Sequence, residues 1–126
     1  MNKQEIIDKI NKTLHNTMSA QLGIEITDIG EYFISGKMPV DERTMQPFGL
    51  LHGGASVALA ETLGSIGGGI KVYKKNETVV GIEINANHLK SAREGWVFGK
   101  ATPIRIGKKI QVWNIEIANK SDELVC

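Results

Sequence analysis

Glu61 is the side chain with the clearest chemical potential: one carboxylate within Ala55-Ser56-Val57-Ala58-Leu59-Ala60-Glu61-Thr62-Leu63-Gly64-Ser65-Ile66, a run of small or apolar residues. Such a run predicts a helix slim enough to lie deep inside other structure, which would bury the acid. A carboxylate withdrawn from water holds its proton more tightly and gains the reactivity of a general base. Taken alone, a helical glutamate is most often a solvated surface group, and it is the small-residue context that singles this one out. Eight positions earlier, Gly53-Gly54 follows Gln46-Pro47-Phe48-Gly49-Leu50-Leu51-His52. A helix starting at either glycine has unpaired first amides at the positive end of its macrodipole, where a developing oxyanion can be received. Gln46 supplies an amide donor for a polarised carbonyl oxygen. Ser65, one turn beyond Glu61 on the same helix face, can hold the carboxylate or an attacking water.

Spacing constrains how these groups can cooperate. Glu61 lies about 12 Å from Gly53 along the axis at roughly 1.5 Å per residue, too far for both to act on one carbonyl. Two antiparallel copies of the helix about a two-fold axis bring Glu61 of one subunit opposite Gly53 of the other. The geometry therefore predicts an obligate dimer with two equivalent sites.

The elements that must hold this helix are written in the apolar periodicity. Ile6, Ile7, Ile10 and Leu14 recur at helical spacing, which predicts an amphipathic lead-in helix within residues 1–15. Leu22, Ile24 and Ile26, then Tyr32, Ile34, Gly36, Met38 and Val40, alternate on either side of Gly30-Glu31 and predict a hairpin. Residues 41–54 lack either period and form a loop leading to the central helix, which should end near Gly67-Gly68-Gly69. Three strand-like runs follow, Thr78 to Lys90, Gly95 to Ile106 and Lys108 to Ala118. In the first, Val80, Ile82, Ile84, Ala86 and His88 share a parity, placing His88 among core residues. In the third, the apolar parity switches between Val112 and Trp113, which predicts a bulge or a strand covered on both faces. Trp96, Phe98 and Trp113 read as core. A further strand begins at Glu123. One helix wedged among five or six antiparallel strands makes an α+β domain.

Composition narrows the function classes. Fifteen basic and fourteen acidic residues leave a formal charge of +1, so no global field points to nucleic acid or an anionic membrane. The single cysteine, Cys126, excludes an internal disulfide framework and suits a reducing compartment, the cytoplasm by default. Lys3, Glu5, Asp8 and Lys9 interrupt the first apolar residues, against a signal-peptide core or membrane span. Three dispersed histidines offer no metal-ligand pair at a recognised spacing, and neither Gly-x-x-x-x-Gly-Lys nor Gly-x-Ser-x-Gly occurs.

The segment from Gln46 to Ser65 resembles the hotdog-fold acyl-CoA thioesterases, in the branch that carries its acid on the central helix. The resemblance extends from about Asn16, through Met38-Pro39-Val40-Asp41 and Val79-Val80-Gly81-Ile82-Glu83-Ile84-Asn85-Ala86-Asn87-His88, to Glu116. It implies a hotdog domain assembling as a dimer or a dimer of dimers. Glu61 would attack the thioester or activate water, with the Gly53 amide as oxyanion donor assisted by Gln46. His52 and His88 would line the thioester pocket, and Ser65 would sit beside Glu61. Residues Pro103 to Lys109 match a stretch that meets the nucleotide end of coenzyme A, with Arg105 and Lys108 standing where His and Arg are common; Lys90 occupies a position that is basic in some relatives. The implied substrates are aryl or medium-chain acyl-CoAs, with no separate cofactor. Members usually continue beyond the position of Cys126, so the last strand reads as truncated. The alternative is a hotdog module that binds acyl-CoA without turning it over.

Overall fold

A computed structural model describes residues 1–126. Alternation of apolar side chains produces the expected hairpin, β1 (Glu25–Gly30) and β2 (Phe33–Pro39), with Ile26, Ile34 and Met38 turned inward. β3 (Trp96–Ile106) pairs with β2, and β4 (Gln111–Asn119) pairs with β3. All pairs are antiparallel, in a four-stranded sheet of order β1-β2-β3-β4. Helix α1 (Lys3–Thr13) packs on β1, a short α2 (Met18–Gln21) follows, and α3 (Gly53–Val72) lies across the apolar face of β2, β3 and β4. No helix is long and apolar enough to cross a membrane.

The seat of α3 is made by two absent side chains. Gly36 and Gly99 are direct partners across β2 and β3. A β-carbon on Gly36 would stand 2.9 Å from Leu63 Cδ2, and one on Gly99 would stand 2.7 Å from Leu63 Cδ1. The gap they leave lets Leu59 and Leu63 settle on the sheet with no exposed surface, so the helix sits close enough to bury its apolar side.

At the other end, an Asn2–Glu5 capping box closes the start of α1. Asn11 takes up both backbone groups of Ile26, beside the break in β1 register between Ile26 and Asp28. Lys3 then reaches Asp28 at 3.0 Å. The hydrogen bond from Lys3 holds the Asp28 carboxyl below its ordinary value of 3.8. A carboxyl depressed in the folded state stabilises above its unfolded value, and that contribution disappears as pH falls through the depressed folded value. Lys3→Met is therefore expected to melt below the parent at neutral pH, with the two curves converging in acid once pH falls through the depressed value. A difference that persisted in acid would exclude the pair as its source.

The structure departs from the sequence reading at several points. Helix α3 runs on through Gly67, Gly68 and Gly69 to Val72. Gly67 is needed there: a β-carbon would lie 2.9 Å from the Trp113 ring and 3.1 Å from Ile34. The sheet has four strands, not five or six, because residues 78–90 run extended without a ladder in the protomer. Their apolar side chains are consequently uncovered, with Val80 85% and Ile82 79% exposed, and His88 is exposed too rather than packed in the core. The bulge signalled at Val112–Trp113 is carried by the facing strand: Pro103 pairs with Trp113 and Arg105 with Val112, leaving Ile104 as the extra residue. Trp113 packs on the core, whereas Trp96 and Phe98 belong to the outer face of the sheet, where Lys37 stands 4.3 Å from the Trp96 ring. The segment from Glu123 forms a single bridge, Leu124 to Ala118, and Val125 accepts from Leu89 and Lys90.

Candidate active site

The loop before α3 is pinned to the end of the sheet by Thr44, whose buried hydroxyl donates to Pro39 O while its carbonyl accepts from His52 N. Leu51 N donates to Ala92 O. Between these anchors Gln46-Pro47-Phe48-Gly49 makes a tight turn, with Gly49 at φ 75°. The Gln46 side-chain oxygen accepts from Phe48 N inside this turn, which leaves its amide hydrogens without a protein acceptor.

His52 caps the helix, its Nδ1 accepting from Gly54 N at 2.8 Å. Ala55 N and Ser56 N both donate to His52 O. Of the first four helical amides, only that of Gly53 finds no acceptor in the protein. The local sequence thus leaves one backbone donor free at the positive end of a 20-residue helix and one side-chain donor free in the loop leading to it.

Glu61 is exposed in the protomer, contrary to the burial expected of it, and it makes no hydrogen bond or ion pair. The reason is rotational. Helix α3 turns Ala55, Ser56, Leu59, Ala60, Leu63 and Gly67 to the core, so position 61 faces away from the sheet, toward residues 78–88. There its neighbour is Gly81: a β-carbon built on Gly81 would overlap Glu61 Oε1, with Cδ at 3.4 Å and Oε2 at 3.9 Å. Gly53 and His88 meet in the same way, His88 Nε2 standing 2.9 Å from where a β-carbon of Gly53 would be. Gly68 similarly meets Val79. The extended run therefore lies alongside α3 in the opposite direction, with His88 at the helix start and Gly81 at the acid.

The chain thus brings Gly53, His52, His88 and Gln46 to one end of α3, while Glu61 and Ser65 lie further along it. Ser65 is exposed and makes no hydrogen bond to Glu61. Lys90 is paired with Glu123 at 3.2 Å. Arg105 and Lys108 are exposed at the β3–β4 hairpin, next to Gln111 and Trp113, which pack on Gly68 and Gly67 near the far end of the helix. Nowhere do three or more His, Cys, Asp or Glu side chains gather as metal ligands would. Gly81 escaped the motif reading, although a lone glycine within an alternating run is itself a sign of close approach by another group.

A family model described as the thioesterase superfamily matches residues 48–126, taking in the helix start, Glu61 and the extended run. The chain belongs to the thioesterase superfamily. It is 47% identical over 120 residues to 1,4-dihydroxy-2-naphthoyl-CoA hydrolase of Escherichia coli, covering 95% of this chain and 88% of that one. Among solved structures, a thioesterase from Haemophilus influenzae is 50% identical, with a TM-score of 0.91 over 94% of this chain and 82% of that one. A mutant thioesterase from Pseudomonas aeruginosa is 39% identical, with a TM-score of 0.92 over 94% and 86%. The fold is a hotdog, an antiparallel sheet around a long central helix. The protein is accordingly an enzyme, a thioester hydrolase.

Proposed function

We propose that this thioesterase hydrolyses an aryl or medium-chain acyl-CoA to the free acid and coenzyme A, with Glu61 of one subunit working opposite Gly53 and Gln46 of its partner. The observation carrying this reading is the isolated pair of donors: the Gly53 N–H and the Gln46 amide hydrogens, both without protein acceptors. Such donors hydrogen-bond the thioester oxygen more strongly as it becomes an oxyanion. Acting as a general base, Glu61 takes a proton from water as the C–O bond forms. Collapse of the oxyanion then breaks the C–S bond, and the departing thiolate takes up a proton. Acting instead as a nucleophile, Glu61 adds to the thioester carbon, the C–S bond breaks to release the thiolate, which takes up a proton, and water cleaves the resulting acyl anhydride to the free acid and the Glu61 carboxylate. Label in the Glu61 carboxylate after a single turnover in ¹⁸O-water is the mark of the anhydride route, arising where water attacks the Glu61 carbonyl.

The exposed Val80 and Ile82 support self-association, as a dimer or tetramer, because they form an apolar edge that a second copy could cover. His52 and His88 border the thioester at the helix start, with Ser65 beside the acid. Arg105, Lys108 and Lys90 take the phosphates of the nucleotide end, where cationic side chains suit the charge. The relative named for a naphthoyl-CoA substrate favours an aryl acyl group. A cytoplasmic location and a reaction needing no further cofactor complete the reading.

The test is a panel of acyl-CoAs with thiol release as the signal. Release is expected with aryl and medium-chain members, and Gln46→Ala should lower kcat by about 10²- to 10³-fold, as loss of one oxyanion donor does. Failure to release thiol from any member would reject the substrate class, and an unchanged kcat would remove Gln46 from the reaction.

A further inference from the structure

We propose that Gly81 is a positioning residue: its missing side chain is the space in which the Glu61 carboxylate takes up its working place. The proposal rests on the reading of Glu61 as the catalytic acid.

Three observations on this chain carry it. The three atoms nearest to a β-carbon on Gly81 are Oε1, Cδ and Oε2 of Glu61, so the vacancy at position 81 is filled by the acid's head group. Gly49 and Gly95, by contrast, have nothing within 4 Å, and their φ of 75° shows that glycine serves backbone geometry there. The backbone of Gly81 lies outside the positive-φ region, so an alanine is conformationally admissible at this position. What excludes a side chain at position 81 is the carboxylate itself.

The consequence is specific to chemistry. Glu61 ends a flexible side chain with no hydrogen bond or ion pair to hold it. A methyl group at position 81 would therefore push the carboxylate aside at little expense to the fold. The acid then loses its alignment with the thioester carbon or with the attacking water. A misplacement of about 1 Å can lower a rate by about 10²-fold. Binding of the acyl-CoA should be little affected, because position 81 faces the acid.

The experiment is a double-mutant cycle on kcat and KM with an acyl-CoA accepted by the parent enzyme, accompanied by circular dichroism melting. Gly81→Ala is expected to lower kcat by about 10²-fold while KM and the melting temperature stay near the parent values. Glu61→Asp, which withdraws the carboxylate by one methylene, also lowers kcat. In the double variant the shorter acid makes room for the methyl, so kcat should rise about tenfold above Gly81→Ala alone, a non-additive result. Unchanged kcat in Gly81→Ala would overturn the proposal. So would two losses that simply multiply, because the glycine would then act on something other than the acid. Loss of folding in Gly81→Ala that Glu61→Asp does not relieve would also overturn it, placing the role of the glycine in the backbone. Full activity in Glu61→Ala is a separate outcome: it removes the reading beneath the proposal and the proposal with it.

Discussion

Glu61→Ala is expected to lower kcat for thioester hydrolysis by about 10²- to 10⁴-fold, the range ascribed to a positioned general base, without loss of folding. The second half of this expectation follows from the exposure of the residue. Glu61 contributes no ion pair, no hydrogen bond and no core contact within the protomer, and substitution of such a surface group changes stability by about 0.5 kcal/mol or less. Activity and stability can therefore be read separately. Glu61→Gln, similar in shape but neutral and unable to take a proton, should be impaired to a similar degree. Thiol release by either variant at the parental rate would assign the chemistry elsewhere.

Leu63→Ala should act in the opposite way, lowering stability by about 2–5 kcal/mol, the usual range for truncating a buried leucine. Leu63 has no exposed surface and fits the space left by Gly36 and Gly99. The facing glycines Gly36 and Gly99 cannot close over the void, because neither has side-chain atoms that would relax into it. The midpoint of urea unfolding, taken at fixed protein concentration, should fall while the slope stays constant. A loss under 1 kcal/mol would mean that α3 moves down onto the sheet and fills the cavity.

The sequence was most legible where one physical cause acted alone. The β1–β2 hairpin follows from alternation, and the start of α3 follows from His52-Gly53-Gly54, because turn chemistry and orphan amides are local. It was least legible where tertiary packing set the outcome. Gly67-Gly68-Gly69 has poor helical propensity, yet the Trp113 ring needs the space at Gly67, and the helix continues past it. The run 78–90 alternates as a strand does, but alternation shows which side is apolar and not where the backbone hydrogen-bonding partner comes from. The same limit governed Glu61. Its small neighbours correctly signalled a helix pressed against a sheet, but they lie mainly on the side that touches the sheet, whereas the acid is on the other. The parity switch at Val112 recorded a real irregularity whose extra residue, Ile104, belongs to the strand opposite.

Under the proposed function, the histidine cap bears on how a phosphate-bearing substrate would be sorted. Helix beginnings commonly attract phosphates because several adjacent peptide hydrogens point outward together. A coenzyme A thioester brings such groups at its nucleotide end, and a full set of outward hydrogens would invite that end to dock backwards. Here three of the four are already taken, all by His52. A tetrahedral anion needs several donors and finds one on the backbone, whereas a thioester oxygen needs few. On the proposed reading, His52, by satisfying its neighbours, leaves the mouth of the helix one donor for the reacting carbonyl and makes it a poor berth for the phosphates attached to the same molecule.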